Sequence, residues 1–234
     1  MPAMLPWNFE GEASEPAQDP TMAPHKRQSY EEELANAITH GVGLVLSLIG
    51  WVGLLVLSGL AGGGGWDLAA SAVFGGTLVF LYATSTLYHS VGTARLKRTL
   101  RILDHVAIFL LIAGTYTPFA GVLMREGWGW SVLALVWGIA LAGLLFKLFS
   151  THRFHPAATT LYLLMGWLGV LFADPMSAAL PLGGLLLIVA GGLAYTIGVL
   201  FYGWHSLRYS HAIWHVFVLV GSACHYAAVV LYVL

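Results

Sequence analysis

From about residue 37 to its end, the chain is a succession of seven apolar stretches, at 37–60, 68–89, 102–124, 128–149, 157–173, 182–203 and 211–234. Each is long enough, or nearly so, to cross a bilayer as a helix, which takes about 20 apolar residues. Lipid offers the backbone no hydrogen-bond partners, so only helices and closed barrels cross it. The runs here are continuous rather than alternating, so helices are preferred over a barrel. Composition agrees: 58% of the 234 residues are hydrophobic and only 9% charged, far below the roughly quarter charged in soluble domains. The breaks are loop-like, at Gly62 to Gly65, around Gly127 and Gly129, at His155 and Pro156, and at Asp174 and Pro175. The fold class predicted is all-α, a seven-helix transmembrane bundle filling residues 36–234.

Residues 1–35 read as a disordered tail, because the first 33 hold seven of the eleven acids and show no apolar periodicity. The tail does not resemble a secretory signal. Orientation follows from the basic residues, which are retained on the cytoplasmic side of short loops. Lys26, Arg27, Arg95, Lys97, Arg98, Arg101, Lys147, Arg153 and Arg208 fall on one side of a seven-span arrangement, and only Arg125 on the other. The N-terminus is therefore predicted cytoplasmic and the C-terminus outside, in the cell's inner (plasma) membrane. The net charge of -1 and the scattered basic residues exclude nucleic acid as a partner. A single cysteine, Cys224, forms no internal disulfide.

Polar groups inside apolar spans are costly, so each is a functional candidate. Asp104 is the only acid within the proposed spans. Ser85 and His89 lie four apart on span two, and His211 and His215 lie four apart on span seven, so each pair shares a helical face. The predicted topology brings His89, Asp104, His211 and His215 to one depth in the cytoplasmic leaflet. Imidazoles with a carboxylate make a metal site, and Zn2+ suits three neutral imidazoles with an open fourth position. Spacing alone leaves the third imidazole open between His89 and His40, the latter near the same end of span one. Asp104 would orient a ligand, hydrogen-bond a metal-bound water or ligate directly, and Ser85 would hold that water or a developing oxyanion. His225, ten residues beyond His215, lies about 15 Å deeper and is read as a core hydrogen-bonding residue. His25, His152, His155 and His205 are read as solvated loop residues. Gly75, Gly76, Gly191 and Gly192 read as points of close helix approach, and Pro118 as a kink in span three.

The segments ATSTLYHS, RILDHVAIFLLIAGTYTPF and HAIWHVFVLVGSACHY, with the chain from about residue 34 onward, resemble the bacterial hemolysin III family. That family resembles the progestin and adipoQ receptors, which include the adiponectin receptors, seven-helix proteins with a cytoplasmic N-terminus. The resemblance implies a zinc ion held by His89, His211 and His215, with Asp104 and Ser85 close to the metal-bound water. It favours His89 over His40. A wider grouping takes in alkaline ceramidases, whose similar sites hydrolyse lipid amides. The family name records cell lysis, but nothing in the chain looks like a secreted pore former.

The function that these residues and the resemblance together imply is zinc-dependent hydrolysis of a lipid amide or ester, with membrane lipids as partners and an acyl-chain ligand between the helices. Two other classes compete. A regulator with structural zinc would fill all four metal positions with protein groups. A channel would need a polar path across the bilayer, whereas the acid and the paired histidines occupy one leaflet.

Overall fold

A computed structural model describes residues 28–62, 64–149 and 155–234. Most of the expected tail, residues 1–27, and two of the loop histidines, His25 and His152, lie outside the described residues. Helices α1 (Tyr30–Leu60), α2 (Gly65–Ser90), α3 (Ala94–Pro118), α4 (Gly129–Phe149), α5 (His155–Gly166), α6 (Ala173–Ala179), α7 (Leu182–Tyr202) and α8 (Ser210–Tyr232) account for nearly all of the described chain. No strand occurs among the described residues. Seven of the helical stretches are long and apolar enough to cross a membrane, with α3 extended to Leu123 and α5 and α6 joined into one span. Large apolar side chains cover the outside of the bundle, among them Ile49, Val52 and Leu200 at 66, 60 and 69% exposed. A face of that extent needs lipid rather than water.

Helix ends depart from the apolar stretches where polar residues are helical. Helix α1 starts at Tyr30, seven residues before the first stretch, because Ser29 and Glu32 form a reciprocal capping box. Ser29 Oγ accepts from the Glu32 N–H at 3.2 Å, and the Glu32 carboxylate accepts from the Ser29 N–H at 2.8 Å. Glu31, Glu32 and Glu33 occupy the first turn, where the helix dipole favours negative charge. Helix α3 likewise starts at Ala94 rather than 102, so Arg95 to Arg101 are helical and Asp104 lies well inside the helix. Asp174 and Pro175 do not break span five. They sit in the first turn of α6, where a proline has no intrahelical bond to lose, and the chain turns instead at Leu180 and Pro181. Pro118 is followed by a π-helical turn, Phe119–Leu123, consistent with a disturbed helix at this point.

Packing runs around a ring: α1 lies against α2 and α8, α2 against α3, α7 against α8, and α5 touches both α3 and α7. Helix α4 packs on α3, where Phe109, Ala113, Val132, Val136 and Met165 form a second apolar cluster. The main cluster, including Leu54, Phe74, Leu78, Tyr82 and Val229, joins α1, α2 and α8. Gly75 and Gly191 are close approaches as expected: an added Cβ would stand 2.0 Å from Trp51 and 2.8 Å from His225. Gly76 and Gly192 are not, since the nearest atoms, on Trp51 and Trp167, are at an ordinary 3.6 Å.

Candidate metal centre

Helix α2 ends, and helix α8 begins, at the same end of the bundle. His89 therefore meets His211 and His215, with ring centroids 5.1 Å from each, while His211 and His215 are 4.6 Å apart. One ring nitrogen from each of the three lies within 4.8 Å of the other two, a grouping that could hold a metal ion. Tetrahedral zinc with bonds near 2.0–2.1 Å brings its nitrogens to about 3.4 Å, so small side-chain rotations close the set. His89 and His215 are buried, at 5 and 1% exposed.

The outer nitrogens of His89 and His215 are already used. His89 Nδ1 donates to Glu33 Oε2 at 2.7 Å, which leaves Nε2 as a bare lone pair that is buried and has no protein partner. His215 Nδ1 donates toward the Asn36 carbonyl and the Thr39 hydroxyl, each at 3.2 Å. Thr39 Oγ1 accepts there because its own hydrogen goes to the backbone one turn back. Metal-binding histidines characteristically spend their second nitrogen this way, which fixes tautomer and ring orientation. A buried, orphaned lone pair among imidazoles fits a divalent cation.

Glu33, Asn36, Thr39 and Lys97 escape the sequence reading. The signal was present: Ser29 followed three residues later by Glu32 announces a helix start, and Glu33, Asn36 and His40 then fall on one helical stripe. Composition assigned these acids to the tail, which hid the stripe. Lys97 Nζ holds the other Glu33 oxygen at 2.6 Å, so α1, α2 and α3 meet at a single carboxylate. Glu31 pairs with Arg208 at 3.1 Å, and Glu32 accepts from the Tyr209 N–H at 3.2 Å. Tyr209 has φ of +58° at the residue before α8, a left-handed conformation that its neighbours must hold.

His40 is buried and stacks face to face on His215 with centroids 3.5 Å apart, but it stands outside the three-nitrogen group. The structure thus groups His89, rather than His40, with the α8 pair. Asp104 is not a member of the group either; it lies close enough to His89 and Ser85 to interact with both. The Ser85 hydroxyl is buried beside the Asp104 carboxylate. His105 points elsewhere, its Nδ1 against the Arg101 carbonyl at 2.7 Å. His205 is exposed, as expected of a loop residue, and the His155 side chain lies outside the described residues.

A cavity of about 650 Å³ opens beside this cluster. Ser85, Asp104, His211 and His215 line one end, and mostly apolar residues from α3, α5 and α7 carry it inward to Tyr116, Trp167 and His225. His225 packs against Tyr195 and interacts with the Ile188 backbone, as read for a core histidine.

A bundle of seven membrane-crossing helices with three converging imidazoles at one end defines a multi-pass membrane protein with a candidate metal centre. Residues 28–226 match the Haemolysin-III related family, and the chain belongs to it. It is 42% identical over 207 residues to Hemolysin-3 of Bacillus cereus, covering 88% of this chain and 94% of that one. It is 43% identical over 204 residues to a Hemolysin-3 homolog of Bacillus subtilis (strain 168), covering 87% and 95%. A more distant relative is the human Monocyte to macrophage differentiation factor, 26% identical over 216 residues, covering 90% and 87%. That protein belongs to the progestin and adipoQ receptor group, in line with the resemblance of the sequence motifs.

Proposed function

We propose that the chain is a zinc-dependent hydrolase of acyl lipids, cutting an amide or ester at the cytoplasmic leaflet of the plasma membrane. The observation that carries this reading is that, among the described residues, the group that could hold the metal has three members: three imidazoles converge, Asp104 stays outside them, and a mostly apolar cavity opens beside them. Structural zinc sites close all four positions, whereas catalytic ones keep one open. When bound, zinc supplies Lewis acidity, polarising a carbonyl and making water acidic near neutral pH.

The chain's own residues do the rest. His89, His211 and His215 offer neutral imidazole lone pairs, with Glu33 holding the His89 ring in place and Asn36 and Thr39 that of His215. Asp104 accepts the proton of the attacking water and returns it to the leaving group. Ser85 donates from its buried hydroxyl to the carbonyl oxygen as charge builds there. The apolar cavity takes the acyl chain and keeps bulk water from the reacting carbon.

The test is hydrolysis of long-chain lipid amides and esters by the purified full chain in detergent, with and without chelator. Asp104→Asn is expected to reduce turnover by about 10²-fold or more, the usual contribution of a general base, with metal content unchanged. Loss of metal in that variant would make Asp104 a ligand. Full turnover in chelator would remove the metal from the mechanism.

A further inference from the structure

Two cations line the same cavity as the candidate site without forming an ion pair among the described residues. Arg101 on α3 and Lys147 on α4 both face it, alongside Tyr88, Asp104 and Tyr202. They lie near enough to feel each other's charge, and Arg101 acts electrostatically on Tyr88 and Tyr202 as well. The two carboxylates lining the cavity are engaged elsewhere. Glu33 gives one oxygen to His89 and the other to Lys97, while Asp104 faces Ser85 and His89. Among the described residues neither Arg101 nor Lys147 forms an ion pair.

Orientation signals alone do not account for this placement. Arg95 and Arg98 stand exposed on the outside of α3, where a basic side chain reaches lipid headgroups freely. Arg101 and Lys147 are instead half-buried, and both line the cavity. Like charges held together in a partly desolvated wall repel, and an anion between them removes the repulsion. The guanidinium is a planar fork matched to phosphate or carboxylate oxygens.

We infer that Arg101 and Lys147 form an anion subsite, and that the ligand is an acyl lipid carrying a phosphate or carboxylate close to its carbonyl. The inference rests on the cavity being the substrate site, as proposed above, and narrows the substrate class within it. Arg101 precedes Asp104 by three residues on α3, a rise of about 4.5 Å along the same face. An acyl carbonyl beside Asp104 therefore has its anionic group about one helical turn outward. A glycerol ester with a neighbouring phosphate fits that spacing, and a neutral amide lipid leaves both cations unpaired.

The experiment measures binding to the zinc-loaded full chain in a neutral detergent by isothermal titration. The probes are palmitoyl lysophosphatidic acid, monopalmitoylglycerol, which differs only by the phosphate, and palmitate. The wild-type chain is expected to bind the phosphate lipid about tenfold or more tighter than the neutral one, as charge-assisted hydrogen bonds imply. Arg101→Gln with Lys147→Gln should erase that preference without changing zinc content or affinity for monopalmitoylglycerol. Arg98→Gln should keep it. Palmitate binding as tightly as the phosphate lipid, and depending equally on the pair, would support the subsite with a fatty-acid carboxylate as its occupant. Weaker palmitate binding would support it with a lipid phosphate. Equal affinity of the wild type for the phosphate and neutral lipids overturns the inference. So does a preference that survives in the double variant or disappears in Arg98→Gln. Because binding is read, failure to detect hydrolysis leaves this result intact, whereas turnover of neutral lipids without anion preference removes the subsite and keeps the hydrolase.

Discussion

At the scale of single residues, the least visible part of the site in the sequence is Glu33. Its two oxygens join His89 and Lys97 at 2.7 and 2.6 Å, so a side chain from α1 sets the tautomer of an imidazole on α2. Replacing such a partner ordinarily lowers metal affinity about 10–100-fold. Glu33→Gln is therefore expected to weaken zinc binding by that factor in a chelator competition, and Glu33→Asp to recover part of it. Unchanged affinity in Glu33→Gln would show that packing alone holds the His89 ring. The first-line residues were legible because each is a polar anomaly in an apolar run. Glu33 and Asn36 were not, because they precede the apolar run and looked like the end of an acidic tail. The choice between His89 and His40 was also beyond spacing. Both lie near the same end of the bundle, and only the packing of α1 on α8, which stacks His40 flat on His215, separates their roles.

At the scale of helices, hydropathy located all seven spans but misjudged ends where amphipathic or charged turns continue the helix. The α3 start is the main case, since Arg95, Lys97, Arg98 and Arg101 are polar yet good helix formers. Pro175 is the converse, a residue read as a breaker that sits in a first turn. Close packing at helix starts is equally invisible to hydropathy. At Gly129, the first residue of α4, an added Cβ would lie 2.1 Å from the Ala120 carbonyl oxygen and 2.7 Å from that of Met124. Backbone atoms cannot swing aside, so Gly129→Ala is expected to destabilise the chain by about 1–3 kcal/mol, as overpacking does. Gly76→Ala, whose nearest neighbour is at 3.6 Å, should be neutral or stabilising by up to about 1 kcal/mol. Detergent-resolved thermal unfolding compares the two, and equal stability would contradict the packing described for the α3–α4 turn.

At the scale of the molecule, the ring of helices is tied together by polar contacts inside the bundle as well as by apolar packing. Tyr82 on α2 donates to Ser222 on α8 at 2.8 Å, and Tyr195 on α7 shares the same hydroxyl at 2.9 Å. In lipid such contacts help to fix how helices face one another. The proposed placement of the histidine cluster toward the cytoplasm rests on the basic residues alone. Single cysteines test it with a membrane-impermeant maleimide on intact cells, against the native Cys224 as background: Gly127→Cys should label, and Arg98→Cys should label only after permeabilisation. The reverse pattern would invert the proposed topology and move the site to the outer leaflet.

The central claim is that three imidazoles from two distant helices jointly hold zinc. Elemental analysis of the purified chain, beside a His211→Ala and His215→Ala double variant of equal helical content, tests it most directly. The account predicts about one zinc per wild-type chain and almost none in the variant. Equal metal in both, or none in a wild-type chain purified with zinc and without chelator, would contradict it.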